Sequence, residues 1–158
     1  MNAAELTTLY KARNMTLATA ESCTGGLVAG AITAIPGSSS VFTHGFVTYA
    51  NAAKTQMLGV PEATLAAHGA VSAQVAQAMA EGARTRAGTN AAISVTGIAG
   101  PDGGSAEKPV GTIWFGLATA KKSFAEHRHF TGNRDEIRAQ AVAFALALAA
   151  RAATPEGV

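Results

Sequence analysis

The stretch that decides the fold is residues 15–26, which read MTLATAESCTGG. Its first part is apolar and threonine-rich, a composition typical of a buried β-strand. Gly25 and Gly26 then allow a sharp turn, and the apolar residues at positions 27, 28, 32 and 35 predict a helix that Pro36 ends. Thr24 is the predicted N-cap of that helix. The segment therefore predicts a strand, a turn and a helix in succession.

Helical and strand patterns alternate along the rest of the chain. The clearest helix follows Asn133, an N-cap residue with Glu136 three positions on, and it carries one apolar stripe. Residues 61–69 are predicted to be irregular. The other predicted elements are helices over 3–13, after Asn51 and before Gly88, and strands over 41–49, 91–96, 110–120 and 123–130, of which the last two form an antiparallel pair.

The alternation predicts the fold class and the domain organisation. Helices between strands indicate an α/β protein, and we expect a three-layer α/β/α sandwich around a mixed β-sheet. A length of 158 residues fits one domain, 1–158, in which the tail 154–158 is expected to be flexible.

Composition and charge exclude several classes of function. Apolar residues make up 48% of the chain and charged residues 14%, which excludes a disordered protein. The net charge of +2 is scattered, so we expect no nucleic-acid partner. No apolar run reaches the roughly 18 residues of a membrane span, and the N-terminus has no signal-peptide pattern, so we expect a cytoplasmic protein without a membrane partner. The many alanines each bury little area, and a homodimer is expected.

Ser22 and the turn after it form the first candidate site. A strand-to-helix turn lies at the carboxyl edge of a sheet, where open α/β sheets bind ligands. The backbone N–H groups of Thr24, Gly25 and Gly26 are expected to be unpaired donors for a phosphate, a carboxylate or a developing oxyanion. The alternative is that Ser22 and Thr24 only cap the helix. A nucleoside-triphosphate loop is disfavoured, because no lysine follows Gly26.

Lys54 and Tyr49 are candidates for activating Ser22. Lys54 falls in the first turn of a helix that Asn51 is predicted to cap, where the helix dipole favours the neutral amine that a general base requires. The alternative is an exposed lysine on a short, solvated helix. Tyr49 ends the preceding strand, and its phenol could relay a proton or only pack its ring and bond water.

A glycine-rich loop and an arginine complete the candidate site. Residues 97–104 read GIAGPDGG, too rich in glycine for either regular element. The Thr96 hydroxyl and the N–H groups of the loop, including those of Gly97 and Gly100, could reach a substrate, unless the loop is an idle turn. Arg134 begins the last helix against the usual charge preference; it could pair with a phosphate or with the acidic residues beside it.

Cys23 and the histidines are weaker candidates. Cys23 neighbours Ser22, but strand alternation points it to the opposite face, which predicts a buried core thiol. His127 and His129 share one face of a strand without acidic or cysteine partners at ligand spacing. We therefore predict no metal site.

Five separated motifs together resemble the CinA C-terminal domain family. They occur in the family's order and span nearly the whole chain, which makes the resemblance far more specific than any one motif. The five motifs are residues 20–26, 48–51 with Lys54, 96–104, 108–112 and 132–134.

The resemblance implies an activity and roles for the candidate residues. Stand-alone members of the family are nicotinamide mononucleotide deamidases, which release ammonia, leave nicotinate mononucleotide for pyridine nucleotide recycling, and need no cofactor or metal. By motif, Ser22 is implied to be the nucleophile, Lys54 and Tyr49 its activating pair, Thr96 a site residue and Arg134 a phosphate contact. Two alternatives stay open: a non-catalytic nucleotide-binding module, and a serine amidase that acts on another small amide.

Overall fold

The computed structural model describes residues 1–155 of the chain, so the end of the predicted tail, 156–158, lies outside the described part. Within the described part, the helices are α1 (Ala3–Ala12), α2 (Leu27–Thr33), α3 (Asn51–Leu58), α4 (Glu62–His68), α5 (Ala73–Ala87) and α6 (Arg134–Arg151), with a short 3-10 helix at Ser38–Ser40. The strands are β1 (Leu17–Glu21), β2 (Phe42–Val47), β3 (Ala91–Gly97), β4 (Thr112–Thr119) and β5 (Ser123–His129).

The five strands form one open sheet in the order β2-β1-β3-β4-β5. Strand β1 runs parallel to both β2 and β3. Strand β4 is antiparallel to β3 and to β5, which confirms the predicted antiparallel pair. The sheet is therefore mixed, as the sequence predicts, and its three parallel strands end at a common carboxyl edge.

Helices cover both faces of the sheet. On one face, which we call the α6 face, Leu6 of α1, Ile32 of α2 and Ile137 of α6 share a core cluster with Ile93 of β3. On the opposite face, the α5 face, the cluster contains residues of α3, α5, β1 and β3; these are Leu58, Met79, Ala18 and Ala92. The predicted three-layer α/β/α sandwich is confirmed.

Three local predictions are wrong. The N-cap of α2 is Gly26, at φ 104° and without a side-chain hydrogen bond, rather than Thr24. Helix α3 begins at Asn51 itself, and its N-cap Ala50 offers no side chain to the helix. Residues 62–68 are helical and not irregular; α4 buries none of its residues, so it lacks the apolar periodicity that indicates a helix in sequence.

Two glycines allow close packing: Gly82 lets α3 approach α5, and Gly116 lets α5 approach the sheet. A Cβ atom on Gly82 of α5 would lie 2.0 Å from the Leu58 carbonyl oxygen, so α3 rests directly on α5 there. A Cβ atom on Gly116 of β4 would lie 2.2 Å from the Ala76 carbonyl oxygen, so α5 lies equally close to the sheet. Because α3 carries Lys54, these contacts also determine where the lysine lies.

Within residues 1–155, no helix combines the length and the apolar character that crossing a membrane requires.

Candidate active site

Ser22 lies at the centre of the carboxyl edge of the sheet. The register of β1 with both neighbours places it between Thr48, after β2, and Thr96, in β3. Its N–H donates to the Val95 carbonyl, 2.8 Å away, which extends the β1 ladder by one residue. The connection from β1 to β2 crosses the α6 face and that from β2 to β3 crosses the α5 face, so Ser22 occupies the crevice where such sheets bind ligands.

Lys54 reaches from α3 to Ser22 across the α5 face. Its Nζ lies 3.2 Å from Ser22 Oγ, 3.0 Å from the Thr48 carbonyl oxygen and 3.3 Å from the Tyr49 carbonyl oxygen. The side chain is 1% exposed and forms no ion pair with any residue of the described part. The alternative of an exposed, solvated lysine is therefore wrong.

Burial shifts the pKa values of two residues beside Ser22, Lys54 and Cys23. Desolvation lowers the pKa of the Lys54 ammonium below its ordinary value, since the charged form loses its hydration. Burial also raises the pKa of the Cys23 thiol to about 11. Cys23 belongs to the core of the α6 face, which confirms the predicted buried thiol. The site thus favours a neutral amine at Lys54 and an unreactive thiol at Cys23.

The carboxylate of Glu21 supplies the cap of α2 that Thr24 was predicted to supply. The Thr24 hydroxyl donates to Glu21 Oε1 at 2.7 Å, and the N–H groups of Val28 and Ala29 donate to the same carboxylate at 2.8 and 3.1 Å. Glu21 is 1% exposed. These three hydrogen bonds compensate the buried carboxylate for its lost hydration. The N–H groups of Val28 and Ala29, in the first turn of α2, therefore already have an acceptor.

The Gly25 N–H is not the unpaired donor that the sequence predicts, because it donates to the Ser22 carbonyl at 3.0 Å. The side chain of Arg138, in α6, holds the same turn from behind: its Nε donates to the Cys23 carbonyl at 3.1 Å and its Nη2 to the Thr24 carbonyl at 3.3 Å. Sequence reasoning missed Arg138, whose position in the middle of a helix gives no signal of this contact.

Tyr49 and Arg134 contact each other at the mouth of the site. Arg134 Nη2 donates to the Tyr49 phenol oxygen at 3.1 Å, and Arg134 Nη1 donates to the Gly100 carbonyl at 2.8 Å. The Tyr49 phenol forms no hydrogen bond with Lys54 or Ser22, and only the Tyr49 carbonyl bonds Lys54. The structure therefore brings Tyr49 to the site in a different orientation from the one that a proton relay needs.

Thr96 holds the opposite wall. Its hydroxyl donates to the Ala70 carbonyl at 2.9 Å and so fixes the connection between α4 and α5 beside Ser22. Gly97 and Gly100 follow in the glycine-rich loop. A Cβ atom on Gly100, at φ 77°, would lie 2.4 Å from the Val110 side chain, so the loop packs against the residues that precede β4.

These groups surround a cavity of about 290 Å³. Seven of the predicted site residues line it: Ser22, Tyr49, Lys54, Thr96, Gly97, Gly100 and Arg134. The structure does not bring Thr24, Gly25 and Gly26 to its wall, although all three were predicted to bind substrate. Cys23, Ala70, Val71 and Asp102 are among the further lining residues.

Residues 1–155 contain no group of three or more His, Cys, Asp or Glu side chains placed to hold a metal ion. His127 instead stacks on Trp114, with ring centroids 4.7 Å apart, and His129 contacts the Val110 carbonyl.

The fold and the site together define a class of protein. Its members have an open α/β sheet with a buried serine–lysine pair at the carboxyl edge. The family model described as the CinA C-terminal domain matches residues 2–153, and the chain belongs to this family. The resemblance inferred from the five motifs is thereby confirmed.

Relatives of two lengths match the chain. The nicotinamide-nucleotide amidohydrolase PncC of Escherichia coli (strain K12) is 59% identical over 137 residues, 86% of this chain and 83% of that protein. A CinA-like protein of Geobacter metallireducens is 59% identical over 130 residues, 82% of this chain but 32% of that protein. The chain thus spans about a third of the longer relative.

A solved structure agrees with the fold. The competence/damage inducible protein CihA of Agrobacterium tumefaciens superposes with a TM-score of 0.93 at 46% identity, covering 96% of this chain and 93% of the other.

Proposed function

We propose that this chain hydrolyses the carboxamide of nicotinamide mononucleotide to nicotinate mononucleotide and ammonia, in pyridine nucleotide recycling. The observation that carries the proposal is the contact of Ser22 Oγ with the buried Nζ of Lys54 in the cavity at the sheet edge. The names of the PncC relatives, which align over most of the chain, support the choice of substrate.

The surroundings of Lys54 suit a general base. A neutral amine has two N–H donors and one lone pair. The carbonyls of Thr48 and Tyr49 can accept both donors, which turns the lone pair toward the Ser22 hydroxyl. Tyr49 therefore assists Lys54 through its carbonyl, and burial lowers the pKa of Lys54, which shifts the amine toward its neutral form.

The reaction proceeds through an acyl-enzyme. Ser22 Oγ bonds to the carboxamide carbon as its proton passes to Lys54 Nζ. The carbon–nitrogen bond then breaks, and Lys54 returns the proton to the departing nitrogen, which leaves as ammonia. Water gives a proton to Lys54 and its oxygen to the acyl carbon. Ser22 leaves with that proton, and nicotinate mononucleotide is released.

Two groups on the cavity wall are placed to bind the charges of the reaction. The N–H of Cys23, a residue that lines the cavity, belongs to the turn after β1, and we assign it the role of donor to the oxyanion. Arg134 donates from Nη1 to the Gly100 carbonyl and from Nη2 to the Tyr49 phenol, and we assign its remaining N–H groups to the phosphate of the substrate. Thr96 lines the opposite wall, and its hydrogen bond to the Ala70 carbonyl holds that wall in position.

Ammonia release from nicotinamide mononucleotide by the purified chain tests the proposal. We expect equimolar ammonia and nicotinate mononucleotide, and an acylated Ser22 peptide in mass spectra of acid-quenched turnover mixtures. Binding without ammonia release at high enzyme concentration would instead indicate a non-catalytic nucleotide-binding module. Equal turnover of simple amides that lack the ribose phosphate would indicate another serine amidase.

A further inference from the structure

Tyr49 exposes its aromatic ring beside the nucleophile. The side chain is 60% exposed, the largest fraction among the exposed large apolar side chains of the described residues, and it lines the cavity that contains Ser22. Its immediate neighbour Thr48 is fully buried. The ring therefore contributes little to the core, and packing does not explain its position.

Hydrogen bonds nevertheless hold Tyr49 at two points, its main-chain carbonyl and its phenol oxygen. At one end, the Tyr49 carbonyl accepts from Lys54 Nζ. At the other, the phenol oxygen accepts from Arg134, which is itself held by the Gly100 carbonyl. A side chain fixed at its main chain and at its hydroxyl keeps its flat face available for a ligand at little further cost in conformational entropy.

The cavity has the charges that a zwitterionic ligand requires. Arg134 is its arginine, and Asp102 is the sole carboxylate among the residues that line it. In nicotinamide mononucleotide the phosphate is anionic and the nicotinamide ring is a cationic pyridinium. Aromatic faces attract cations through the ring quadrupole, by about 0.5 to 2 kcal/mol depending on desolvation.

We propose that Tyr49 is a specificity-determining residue whose ring face binds the cationic pyridinium ring of the substrate, with Asp102 as the counter-charge across the cavity. The inference rests on the proposed function and deepens it. It assigns the Tyr49 side chain to recognition of ring charge rather than to proton transfer, and it predicts discrimination against ligands that differ only in a neutral ring.

The test compares binding of nicotinamide mononucleotide with binding of its reduced form, whose dihydropyridine ring is neutral while the carboxamide, ribose and phosphate are unchanged. Calorimetry on a Ser22→Ala background prevents turnover. We expect the oxidised ligand to bind about twofold to thirtyfold more tightly. Tyr49→Leu should abolish most of this preference and Tyr49→Phe should keep it, since phenylalanine retains the ring. Tyr10→Phe, which removes a buried hydroxyl bonded to the Ala149 carbonyl, is the control and should keep the full preference.

The possible results separate this inference from the proposed function. If Tyr49→Leu keeps the preference, or Tyr49→Phe loses it, the ring does not recognise the charge and the inference fails. If the oxidised ligand binds the Ser22→Ala protein without any preference over the reduced one, while the unaltered chain hydrolyses it, the inference fails and the proposed function stands. If the oxidised ligand does not bind the Ser22→Ala protein and the unaltered chain releases no ammonia from it, both proposals fail together. A loss of folding would lower both affinities equally and leave their ratio unchanged, so the ratio reports recognition alone.

Discussion

Ser22 Oγ and Lys54 Nζ lie 3.2 Å apart, although 32 residues separate them in the chain and they come from a strand end and a helix on one face of the sheet. The lysine has two carbonyl partners and no ion-pair partner among residues 1–155. This environment disfavours its charged form, which makes the state of Lys54 measurable through pH.

The pH dependence of kcat/KM should contain an acid limb that reports Lys54. The neutral amine is the active form, so the rate rises as pH rises through the Lys54 pKa, which burial places below that of an ordinary lysine. The activity plateau is therefore reached at a lower pH than for a solvated lysine. The limb should survive in Tyr49→Phe. Its loss in that variant, or a flat profile in the unaltered chain, would contradict Lys54 as the base.

Ser22→Ala and Cys23→Ala should have opposite effects on turnover. Removal of the nucleophile should lower kcat by at least about 10³-fold while nicotinate mononucleotide still binds. Cys23 has a raised pKa of about 11 and a thiol in the core, so its replacement should leave kcat within about threefold and cost about 1 kcal/mol of stability. Activity in the Ser22 variant together with a dead Cys23 variant would reverse the assignment.

Lys54→Met should abolish turnover and change the pH dependence of stability. The folded-state pKa of Lys54 is depressed, so protonation favours the unfolded chain, and the penalty grows as pH falls from the unfolded-state pKa through the folded-state one. The Tm of Lys54→Met relative to the unaltered chain should therefore be higher at neutral pH than at strongly alkaline pH. Lys121→Met, at an exposed turn, is the control and should show no such trend.

Gly82→Ala should reduce activity from a distance. The added methyl group would lie 2.0 Å from the Leu58 carbonyl oxygen, which forces α3 away from α5 and moves Lys54 relative to Ser22. We expect a loss of about 1 to 3 kcal/mol of stability and a kcat at least about tenfold lower. Gly30→Ala in α2, with no neighbouring atom within 4 Å of its added methyl, is the matched control and should stabilise the chain by about 0.5 to 1 kcal/mol at full activity. Equal kinetics for the two variants would remove the link between helix spacing and catalysis.

Much of the fold could be predicted because its signals are local. The turn at Gly25, the capping box at Asn133 and the left-handed Gly88 at the end of α5 depend on residues within one helical turn of each other. Helix α4 was missed for the same reason: none of its residues is fully buried, so its sequence lacks the apolar periodicity that indicates a helix.

The site was predictable only as a set of candidate residues. Cys23 was correctly predicted to be a buried thiol, although it also lines the cavity beside Ser22. The direction of the Tyr49 phenol depends on Arg134, 85 residues away, and the carbonyl contacts of Arg138 join residues more than 110 positions apart. Such contacts arise from the packing of α6 against the sheet, which no local pattern encodes.

The buried Glu21 carboxylate has a consequence for where ligands bind. Helix starts after a glycine turn commonly attract phosphate, because their N–H groups are unpaired. Here the chain supplies its own resident anion, and Val28 and Ala29 are already occupied by it. The N–H groups that would hold a phosphate in a nucleotide-binding turn therefore already have an acceptor from the chain itself. On the proposed function, the phosphate of the substrate has to find its partner elsewhere in the cavity, and Arg134 is the arginine that lines it.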